Sequence, residues 1–337
     1  MPSAIGVTLP ASLPQGTCRA TAHSNIALAK YWGKTDRQQN LPAVPSLSLT
    51  LSALSTTTTV HFDGSARSDQ FVLNGAPADP ASLAKVIALL DRVRAAAGVE
   101  CRARVSSEND FPTASGLASS ASGFAALALA SLGAAGLAWS PAAVSELARA
   151  SSVSAARSVF GGFVALDAGA SAAEPLDVGS AAQELQMLIA VTETGPKKVG
   201  STAGMLQTQS TSPFYESWRT AAPLVYRELR DALFRGDFEQ VGEAMEHSTL
   251  CMHATMLSTR PALIYINPGT LAAIQRVREL RERGTFAYFT MDAGPHVKVL
   301  TLAQHARAVQ AEVESAPGVQ RVILSSIGSG ARILEAG

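Results

Sequence analysis

The sequence predicts an α+β protein built as two lobes, and three features of the chain indicate this fold class. Its 337 residues suffice for two structural halves, because a domain typically takes roughly 100–200 residues. Strand-like and helix-like patterns alternate through the first half. Near residue 185 a solid apolar run is followed by a charged helical region. We therefore expect an N-terminal lobe over residues 1–185 and a C-terminal lobe over residues 186–337.

Strands and a helix open the N-terminal lobe. Residues 56–62 and 70–73 are rich in β-branched and aromatic side chains, and the second run leads into Asn74-Gly75, a dipeptide typical of hairpin turns. Residues 82–97 then carry apolar side chains at helical spacing, with Gly98 as a stop signal. These patterns predict strand, hairpin turn and helix in that order.

A stretch without charged residues follows in the same lobe. After a short strand predicted at 101–106, an apolar helix begins near Ser119, and Ser140-Pro141 matches the N-cap and first position of another helix. Residues 111–145 carry no charge, which exceeds the ~20 residues needed to span a bilayer. Because the stretch is mostly Ala, Ser and Gly, is broken by prolines and lacks Lys/Arg flanks, we expect a buried helix pair and no membrane span.

The C-terminal lobe begins with residues 185–191, an apolar run typical of a buried strand. Helices are predicted at 213–234, 238–249 and 268–283, then strand, turn and strand over 286–302, a helix at 303–315 and a strand at 319–324. This closing order of strand, turn, strand, helix and strand resembles part of a ferredoxin-like unit.

Charge and cysteine content exclude several classes of protein. Lys and Arg together number 27 and so do Asp and Glu, so the chain has no global basic field for nucleic acid or anionic membrane, and any anion must be bound locally. The three cysteines are odd in number and far apart, which fits neither a disulfide framework nor a close-spaced zinc site. With no signal-peptide pattern over residues 1–17, we expect a cytoplasmic protein.

Residues 112–121 form the first segment whose residue types suggest a binding or catalytic role. The run carries Pro112, Gly116, Ser119 and Ser120 between a predicted strand and a helix. Glycine allows close backbone approach, and the free N–H groups at a helix start favour a phosphate, so the segment has the form of an anion cradle. It matches neither the Walker A loop nor the dinucleotide fingerprint, and an ordinary serine-capped helix accounts for it equally well.

The second segment, residues 25–34, places Lys30, Tyr31 and Lys34 around Gly33. Two ammonium groups and a phenol hydroxyl could bind a phosphate. A strand edge with snorkelling lysines explains the same pattern.

The third segment, residues 151–158, has hydroxyls at Ser152 and Ser154 and a guanidinium at Arg157. The planar fork of Arg suits a phosphate or a carboxylate. Taken alone, the segment is slightly better explained as a solvated loop.

Asp292 and the loop around Ser201 complete the set. Asp292 ends a β run before Ala-Gly-Pro, where an acid most often forms a turn, but it becomes a general-base candidate if it faces an anion cradle. Residues 197–205 predict another hydroxyl-rich loop with positive charge, including Thr202.

Taken jointly and in this order, these segments resemble the superfamily of galactokinase, homoserine kinase, mevalonate kinase and phosphomevalonate kinase, and most closely the diphosphomevalonate decarboxylase family. The resemblance covers about residues 22–302 and is carried by AHSNIALAKYWGK, NLPAVPSLSLTL, ENDFPTASGLASSASG, ARASSVSAARSVFGG, KKVGSTAGM, HATMLSTRP and MDAGPH.

This resemblance implies a fold, a reaction and ligands. The expected fold is that of the small-molecule kinases, with a ribosomal S5-like N-terminal lobe, a ferredoxin-like C-terminal lobe and a deep cleft. The expected reaction uses ATP and Mg²⁺ to phosphorylate the 3-hydroxyl of mevalonate 5-diphosphate, after which phosphate and CO2 leave to give isopentenyl diphosphate. A homodimer is also expected.

The resemblance further assigns residues to roles. It implies Asp292, Arg157 and Lys34 as catalytic residues, and leaves the metal ligands open. The substrate is expected to contact Tyr31, Trp32, Gly33, Lys34, Ser152, Val153, Ser154, Ala155, Ala156, Arg157, Ser201 and Thr202, and the ATP phosphates Pro112, Gly116, Leu117, Ala118, Ser119 and Ser120.

The chain departs from the family pattern at four places. The family often has Asn-Ser-Ser where this chain has Val44-Pro45-Ser46, and Gly, Cys and Asn where it has Val153, Ala156 and His296. We expect the first change to lose polar contacts and the fold to absorb Val153 and Ala156. Two alternatives stay open: a sibling phosphomevalonate decarboxylase or mevalonate-type kinase, and a non-catalytic small-molecule-binding protein.

Overall fold

A computed structural model describes residues 16–111, 119–193, 195 and 199–336. The strands are β1 (Thr17–Ala29), β2 (Lys34–Asp36), β3 (Leu41–Pro42), β4 (Ser46–Asp63), β5 (Gln70–Leu73), β6 (Ala76–Pro77), β7 (Arg102–Asn109), β8 (Phe163–Leu166), β9 (Glu174–Leu176), β10 (Leu185–Val191), β11 (Ala287–Met291), β12 (Val297–Leu302), β13 (Arg321–Ser325) and β14 (Arg332–Ala336). The α-helices are α1 (Pro80–Ala97), α2 (Ser119–Ala134), α3 (Pro141–Ser151), α4 (Ser201–Thr211), α5 (Tyr215–Arg235), α6 (Phe238–Leu257), α7 (Pro268–Glu282) and α8 (Ala306–Glu314), and 3₁₀ helices cover Val153–Val159 and Ser180–Glu184.

The first sheet has the order β14-β1-β4-β7-β5-β6, with β8 and β9 attached beside β4. Strands β1 and β4 are long and antiparallel, and helix α2 packs on both. Ala125, Ala126 and Ala128 of α2 are fully buried, because their small side chains let the helix approach the sheet closely. The charge-free stretch thus contributes a buried helix, as predicted, and in the described part of the chain no helix is both long and apolar enough to cross a membrane.

The second sheet is antiparallel, with the order β11-β12-β10-β13. Alternate residues of β10 point to opposite faces. Leu188 and Ala190 pack with α7 and α8, whereas Met187 and Ile189 pack with α5, α6 and the inner ends of β1 and β4. A strand buried on both faces reads as a continuous apolar run, which is why the sequence predicted β10 without error.

The predicted α+β class is confirmed, and several elements match closely. The hairpin after β5 turns at Asn74 and Gly75, which both have positive φ. Helix α1 ends where Gly98 adopts the left-handed conformation, and Ser140 caps α3. The lobe boundary near residue 185 stays a prediction.

Some elements differ from the predictions: β4 and α6 are longer than expected, β8 and β9 were not predicted, and three further differences concern the kind or number of elements. Residues 151–158 are not a solvated loop, because most of them form a buried 3₁₀ helix. Residues 201–211 form helix α4, whose many hydroxyls and amides hide any apolar period. The chain does not end its last strand near residue 324, since β14 follows and pairs with β1 of the first sheet.

Candidate active site

A cleft of about 330 Å³ opens where the two sheets meet. Its wall includes these residues predicted from the sequence: Tyr31, Trp32, Lys34, Ser120, Ser152, Val153, Ser154, Arg157, Ser201, Thr202 and Asp292. Gly33, Ser119, Ala155 and Ala156 are close in sequence to wall residues but are not part of that wall. Pro112, Gly116, Leu117 and Ala118 lie outside the described residues, as do Lys197 and Lys198. The segments are far apart in the chain, yet the fold brings their described parts to one cavity.

Asp292 follows the last residue of β11 and faces the cleft between two lysines. Its Oδ1 accepts from Lys30 Nζ at 2.8 Å, and its Oδ2 lies 3.1 Å from Lys298 Nζ. Burial alone would raise the pKa of the Asp292 carboxyl, but the two ammonium groups outweigh it and hold that pKa well below its usual range. The carboxylate is therefore ionised at any pH at which the protein would work.

Lys30 does not snorkel to solvent. It stands just after β1 with a side chain only 1% exposed, and its Nζ also donates to the carbonyl of Ala27 at 2.9 Å. Burial lowers the pKa of Lys30 to about 8, even though Asp292 works in the opposite direction. His253 of α6 is buried near the same charges, and its pKa falls to about 4 mainly through burial.

Arg157 is buried in the 3₁₀ helix and is held by hydroxyls. Its Nε donates to Ser48 Oγ at 3.0 Å and its Nη1 to Ser46 Oγ at 2.6 Å, both from β4. Among the described residues no carboxylate lies within 4.0 Å of the guanidinium. Burial lowers its pKa to about 10, so it remains a cation at neutral pH. The guanidinium is thus oriented by neutral hydroxyls, and its positive charge is available to an anionic ligand.

Asn25 of β1 fixes the 3₁₀ helix that carries Arg157. Its Nδ2 donates to the carbonyl of Ser154 at 3.0 Å and to Ser158 Oγ at 2.7 Å. The hydroxyls of Ser152 and Ser154 lie 3.2 Å apart beside the cleft. A strand of the sheet thus sets the position of both the hydroxyls and the arginine.

The turn at Gly33 orients the segment that carries Lys34. Gly33 has a φ of +109°, and the Nε1 of Trp218 donates to the carbonyl of Trp32 at 2.8 Å. Gln209 of α4 donates to the carbonyl of Lys34 at 2.9 Å. Helices α4 and α5 therefore hold the turn from outside the cleft.

The Tyr31 hydroxyl is a polar atom of the cleft that has no protein partner in the part of the chain that the structure describes. It is buried and has no hydrogen bond among the described residues. Burial raises the pKa of this phenol, so it stays protonated and able to donate. A buried donor without a partner is rare in folded proteins, which makes the hydroxyl a candidate ligand contact.

Lys34 and Lys85 give the cleft additional positive charge. Lys85 comes from α1 and faces the same cavity. The pKa of Lys34 is lowered first by burial and then by the charge of Lys85. In the described part of the chain neither ammonium has a carboxylate within 4.0 Å. The starts of α2 and α4, with Ser120, Ser201 and Thr202, also line the cavity, and helix N-termini favour anions.

The departures from the family pattern fit the local packing. Val44 is buried in an apolar cluster with Trp32, and Ser46 keeps a hydroxyl for Arg157. Val153 and Ala156 are buried beside Val164, so the fold accommodates both. The described residues contain no group of three or more His, Cys, Asp or Glu side chains suited to a metal.

Sequence reasoning missed Lys298 and Lys85 as site residues. It named Lys30 as a phosphate ligand or a strand-edge lysine, but it did not foresee the contact of Lys30 with Asp292. Lys298 carried a usable signal, because a charged residue between two valines of an apolar strand is expected to have a buried partner. Lys85 carried none, since it is an ordinary polar position of a helix.

Comparisons with known proteins agree with the resemblance in the sequence. A family model described as "Diphosphomevalonate decarboxylase-like N-terminal domain" matches residues 22–177, and one described as "Mevalonate 5-diphosphate decarboxylase C-terminal domain" matches residues 187–321. Diphosphomevalonate decarboxylase mvd1 from Aspergillus fumigatus is 35% identical over 323 residues, covering 88% of this chain and 80% of its own. Phosphomevalonate decarboxylase from Haloferax volcanii is 33% identical over 297 residues, covering 87% of this chain and 91% of its own.

A solved structure supports the same relationship. The structure described as "MDDEF in complex with MVAPP, AMPPCP and Magnesium" has a TM-score of 0.90 and 40% sequence identity, and covers 96% of this chain and 100% of its own. The predicted fold and enzyme class are confirmed by these matches. The chain belongs to the diphosphomevalonate decarboxylase family, as its motifs predicted.

Proposed function

We propose that the chain catalyses the ATP-dependent decarboxylation of mevalonate 5-diphosphate to isopentenyl diphosphate, releasing ADP, phosphate and CO2. The observation that carries this proposal is that one cleft brings together an ionised Asp292 and two cations, Arg157 and Lys34, that have no carboxylate partner among the described residues. Mevalonate 5-diphosphate carries a hydroxyl between a carboxylate and a diphosphate. The hydroxyl matches Asp292, the carboxylate matches Arg157 and the diphosphate matches Lys34.

Asp292 orients the 3-hydroxyl for phosphoryl transfer. A tertiary alcohol is a weak nucleophile, and a fixed carboxylate can hydrogen-bond its proton and direct its oxygen toward the γ-phosphorus. Because Lys30 and Lys298 hold both carboxylate oxygens, the carboxylate needs little reorganisation when the alcohol arrives. Catalysis at this step is mostly positioning, which suits a cleft of hydroxyls and fixed charges.

Arg157 binds the C1 carboxylate during the second step. The C3–O bond breaks as phosphate leaves with its electron pair, and the electrons of the C1–C2 bond form the new C2=C3 double bond as CO2 departs. The hydroxyls of Ser46 and Ser48 hold the guanidinium in place. Because these partners are neutral, no protein carboxylate among them competes with the substrate carboxylate for Arg157. Lys34, Tyr31, Ser152 and Ser154 then bind the diphosphate end, with Ser201 and Thr202 across the cleft.

The residues present fit ATP and Mg²⁺. Ser120 at the start of α2 and the cationic Lys85 face the cavity, and in the sequence the predicted phosphate-loop residues 112–118 directly precede this helix. The complex of the similar MDDEF structure with AMPPCP, an ATP analogue, and magnesium supports this proposal. When bound, Mg²⁺ supplies charge neutralisation at the phosphates, and it commonly relies on phosphate oxygens and water for most of its ligands.

The reaction is tested by measuring ADP and trapped CO2 in parallel with mevalonate 5-diphosphate, mevalonate 5-phosphate and mevalonate. We expect equal yields of ADP and CO2 with the diphosphate only. Equal yields from the monophosphate would favour the activity named for the Haloferax relative. ADP without CO2 would mean a kinase, and no ADP at all would favour the binding protein.

Asp292→Asn supplies the matching variant in the same assay. We expect turnover to fall by on the order of 100-fold or more, because the amide cannot act as an anionic acceptor of the hydroxyl proton. Binding of a fluorescent ATP analogue should persist, which separates loss of chemistry from loss of folding. Undiminished turnover would remove Asp292 from the mechanism.

A homodimer in the cytoplasm is the assembly we propose. Leu224 of α5 and Leu250 of α6 are large apolar side chains that remain about half exposed, as expected for part of a subunit interface. The cysteines Cys18, Cys101 and Cys251 are free, which fits a reducing compartment. Sedimentation of the wild type beside Leu224→Glu would test the interface.

A further inference from the structure

Lys298 is an unusual residue for its position in the fold. It lies on β12, an interior strand of the second sheet, between Val297 and Val299, and its side chain is 0% exposed. An ammonium group buried this completely must be compensated by a specific partner. Its partners are Asp292 Oδ2 at 3.1 Å and the carbonyl of His296 at 3.4 Å. The sequence therefore places a buried charge where the sheet alone would favour an apolar side chain.

The two lysines on Asp292 differ in what else they contact. Lys30 comes from the end of β1, lines the cleft and also donates to the carbonyl of Ala27. Lys298 comes from the other sheet, opposite Thr290 of β11, and is not part of the cleft wall. Each lysine takes a different oxygen of the carboxylate, so the two together fix its rotation as well as its position.

We propose that Lys298 is a positioning residue that fixes the Oδ2 atom, and hence the orientation, of the Asp292 carboxylate for phosphoryl transfer. Lys298 acts from behind the cleft wall, whereas Lys30 acts from within it. The inference rests on the proposed role of Asp292 and adds a residue that the motifs did not identify.

Among the residues that the structure describes, four charged or titratable groups face Asp292 from the surrounding elements. They are Lys30 after β1, Lys298 on β12, Arg157 in the 3₁₀ helix and His253 on α6. Removing Lys298 leaves Lys30 as the only close ion-pair partner among the described residues. With less positive charge beside it, Asp292 would be protonated at a higher pH than in the wild type.

The test compares Lys298→Met with Val299→Ala. Methionine keeps an unbranched side chain and removes the charge, while Val299→Ala loosens the opposite face of the same strand, which packs against α7 and α8. For Lys298→Met we expect kcat at pH 7 to fall at least about tenfold, with KM for both substrates within about threefold. Because Lys30 still holds the pKa of Asp292 down, this loss in kcat would report the orientation of the carboxylate and not its protonation.

Val299→Ala should lower the melting temperature while leaving kcat and both KM values within about threefold of the wild type. If Lys298→Met leaves kcat at its wild-type value, or if Val299→Ala lowers kcat equally, the positioning role is wrong. The comparison thus separates an effect on the orientation of Asp292 from a general loosening of the sheet.

A stability cycle tests the contact without any turnover. Lys298→Met is measured by urea unfolding in the wild type and in Asp292→Asn, where Lys298 has lost its carboxylate. We expect the substitution to destabilise the first protein and to stabilise the second, because an unpaired buried ammonium is costly. If the effect of Lys298→Met on stability differs between the two proteins but the wild type releases no CO2, the proposed function is wrong and the Lys298–Asp292 contact stands. If the wild type turns over normally but the effect of Lys298→Met is the same in both proteins, the role of Lys298 is wrong and the proposed function stands.

Discussion

Arg157 is a buried cation whose nearest partners are neutral. Its guanidinium donates to two serine hydroxyls of β4 and has no carboxylate within 4.0 Å among the described residues. Burying such a charge has a desolvation cost, and the lowered pKa of about 10 reflects it. An anionic ligand that pairs with the guanidinium offsets this cost. The arrangement therefore favours binding of a carboxylate and does not stabilise the ligand-free protein.

Arg157→Lys keeps the charge but loses the planar fork. We expect kcat to fall by on the order of 100-fold, about 3 kcal/mol of transition-state stabilisation, because a lysine cannot hold both a serine anchor and a carboxylate in one plane. Single-turnover measurement of CO2 release checks this directly.

Ser48→Ala is the matched control for that variant. It removes one anchor and leaves the guanidinium, so we expect a loss of only about 1 kcal/mol, or several-fold in rate. If Arg157→Lys were as active as Ser48→Ala, the bidentate role of the arginine would be untenable.

The role of a site residue could be predicted from the sequence where its side-chain type suggested its ligand. It was harder to predict where the role and the pKa depend on a partner elsewhere in the protein. Asp292 and Arg157 were chosen from residue type and motif. Lys30 bonds to a carboxylate 262 positions away, and the local sequence of neither residue names the other. The pKa of Lys30 is lowered by burial and that of Asp292 by its two lysine partners, so neither could be predicted before the fold was known.

At the scale of elements, the turn after β1 is set by helix α5. A Cβ on Gly33 would lie 2.1 Å from the hydroxyl oxygen of Tyr215, and the φ of +109° disfavours any other residue. Tyr215 and Trp218 of α5 thus fix the path of the chain from Trp32 to Lys34. The motif in the sequence contains the glycine but not the helix that requires it.

Gly33→Ala is expected to raise KM for the diphosphate substrate by about tenfold or more while changing kcat less. The added methyl group must displace Tyr215, which shifts Lys34 from its place on the cleft wall. Steady-state kinetics over a range of substrate concentrations checks the split between KM and kcat.

The double variant Gly33→Ala with Tyr215→Phe tests the physical reason. Removing the hydroxyl relieves the closest contact, so we expect part of the KM to be recovered, although the positive φ still carries a strain of about 1 kcal/mol. A double variant no better than Gly33→Ala would mean that the clash with Tyr215 is not the cause.

Elements buried on both faces were predicted best. Strand β10 was predicted with its observed bounds because its run is continuously apolar, whereas α4 was missed because its buried positions include Gly204 and Thr208. Strand β14, near the C-terminal end of the chain, pairs with β1 near its N-terminal end. No local sequence pattern predicts such a long-range pairing.

At the scale of the whole molecule, the two sheets share one apolar core beneath the cleft. Ile26 and Leu47 from the first sheet pack in the same cluster as Ile189 from the second and Leu229 from α5. The cleft therefore lies above a continuous core, and its charged groups are coupled to global stability. His253 of α6 is among them, since its ring is almost fully buried and its pKa responds to the charges of Lys30 and Asp292.

His253 predicts a loss of stability in mild acid. Its pKa falls from 6.5 to about 4 on folding. Above pH 6.5 the ring is neutral in both states and contributes no pH dependence. Between pH 6.5 and 4 the unfolded chain binds a proton that the folded protein excludes, so stability falls as the pH drops, by on the order of 3 kcal/mol in total. The carboxylate of Asp292 acts at lower pH, because it is ionised in both states above its ordinary pKa of 3.8.

His253→Asn should flatten the pH dependence of the urea midpoint between pH 6.5 and 4.5. The asparagine amide keeps a polar side chain at this position but does not titrate. His247→Asn is the matched control, since His247 is an exposed histidine on the same helix and should leave the wild-type slope unchanged. If the slope in His253→Asn equalled that in His247→Asn, the acid sensitivity would have to come from other groups, of which the half-buried His23 of β1, with its own lowered pKa, is the next to test.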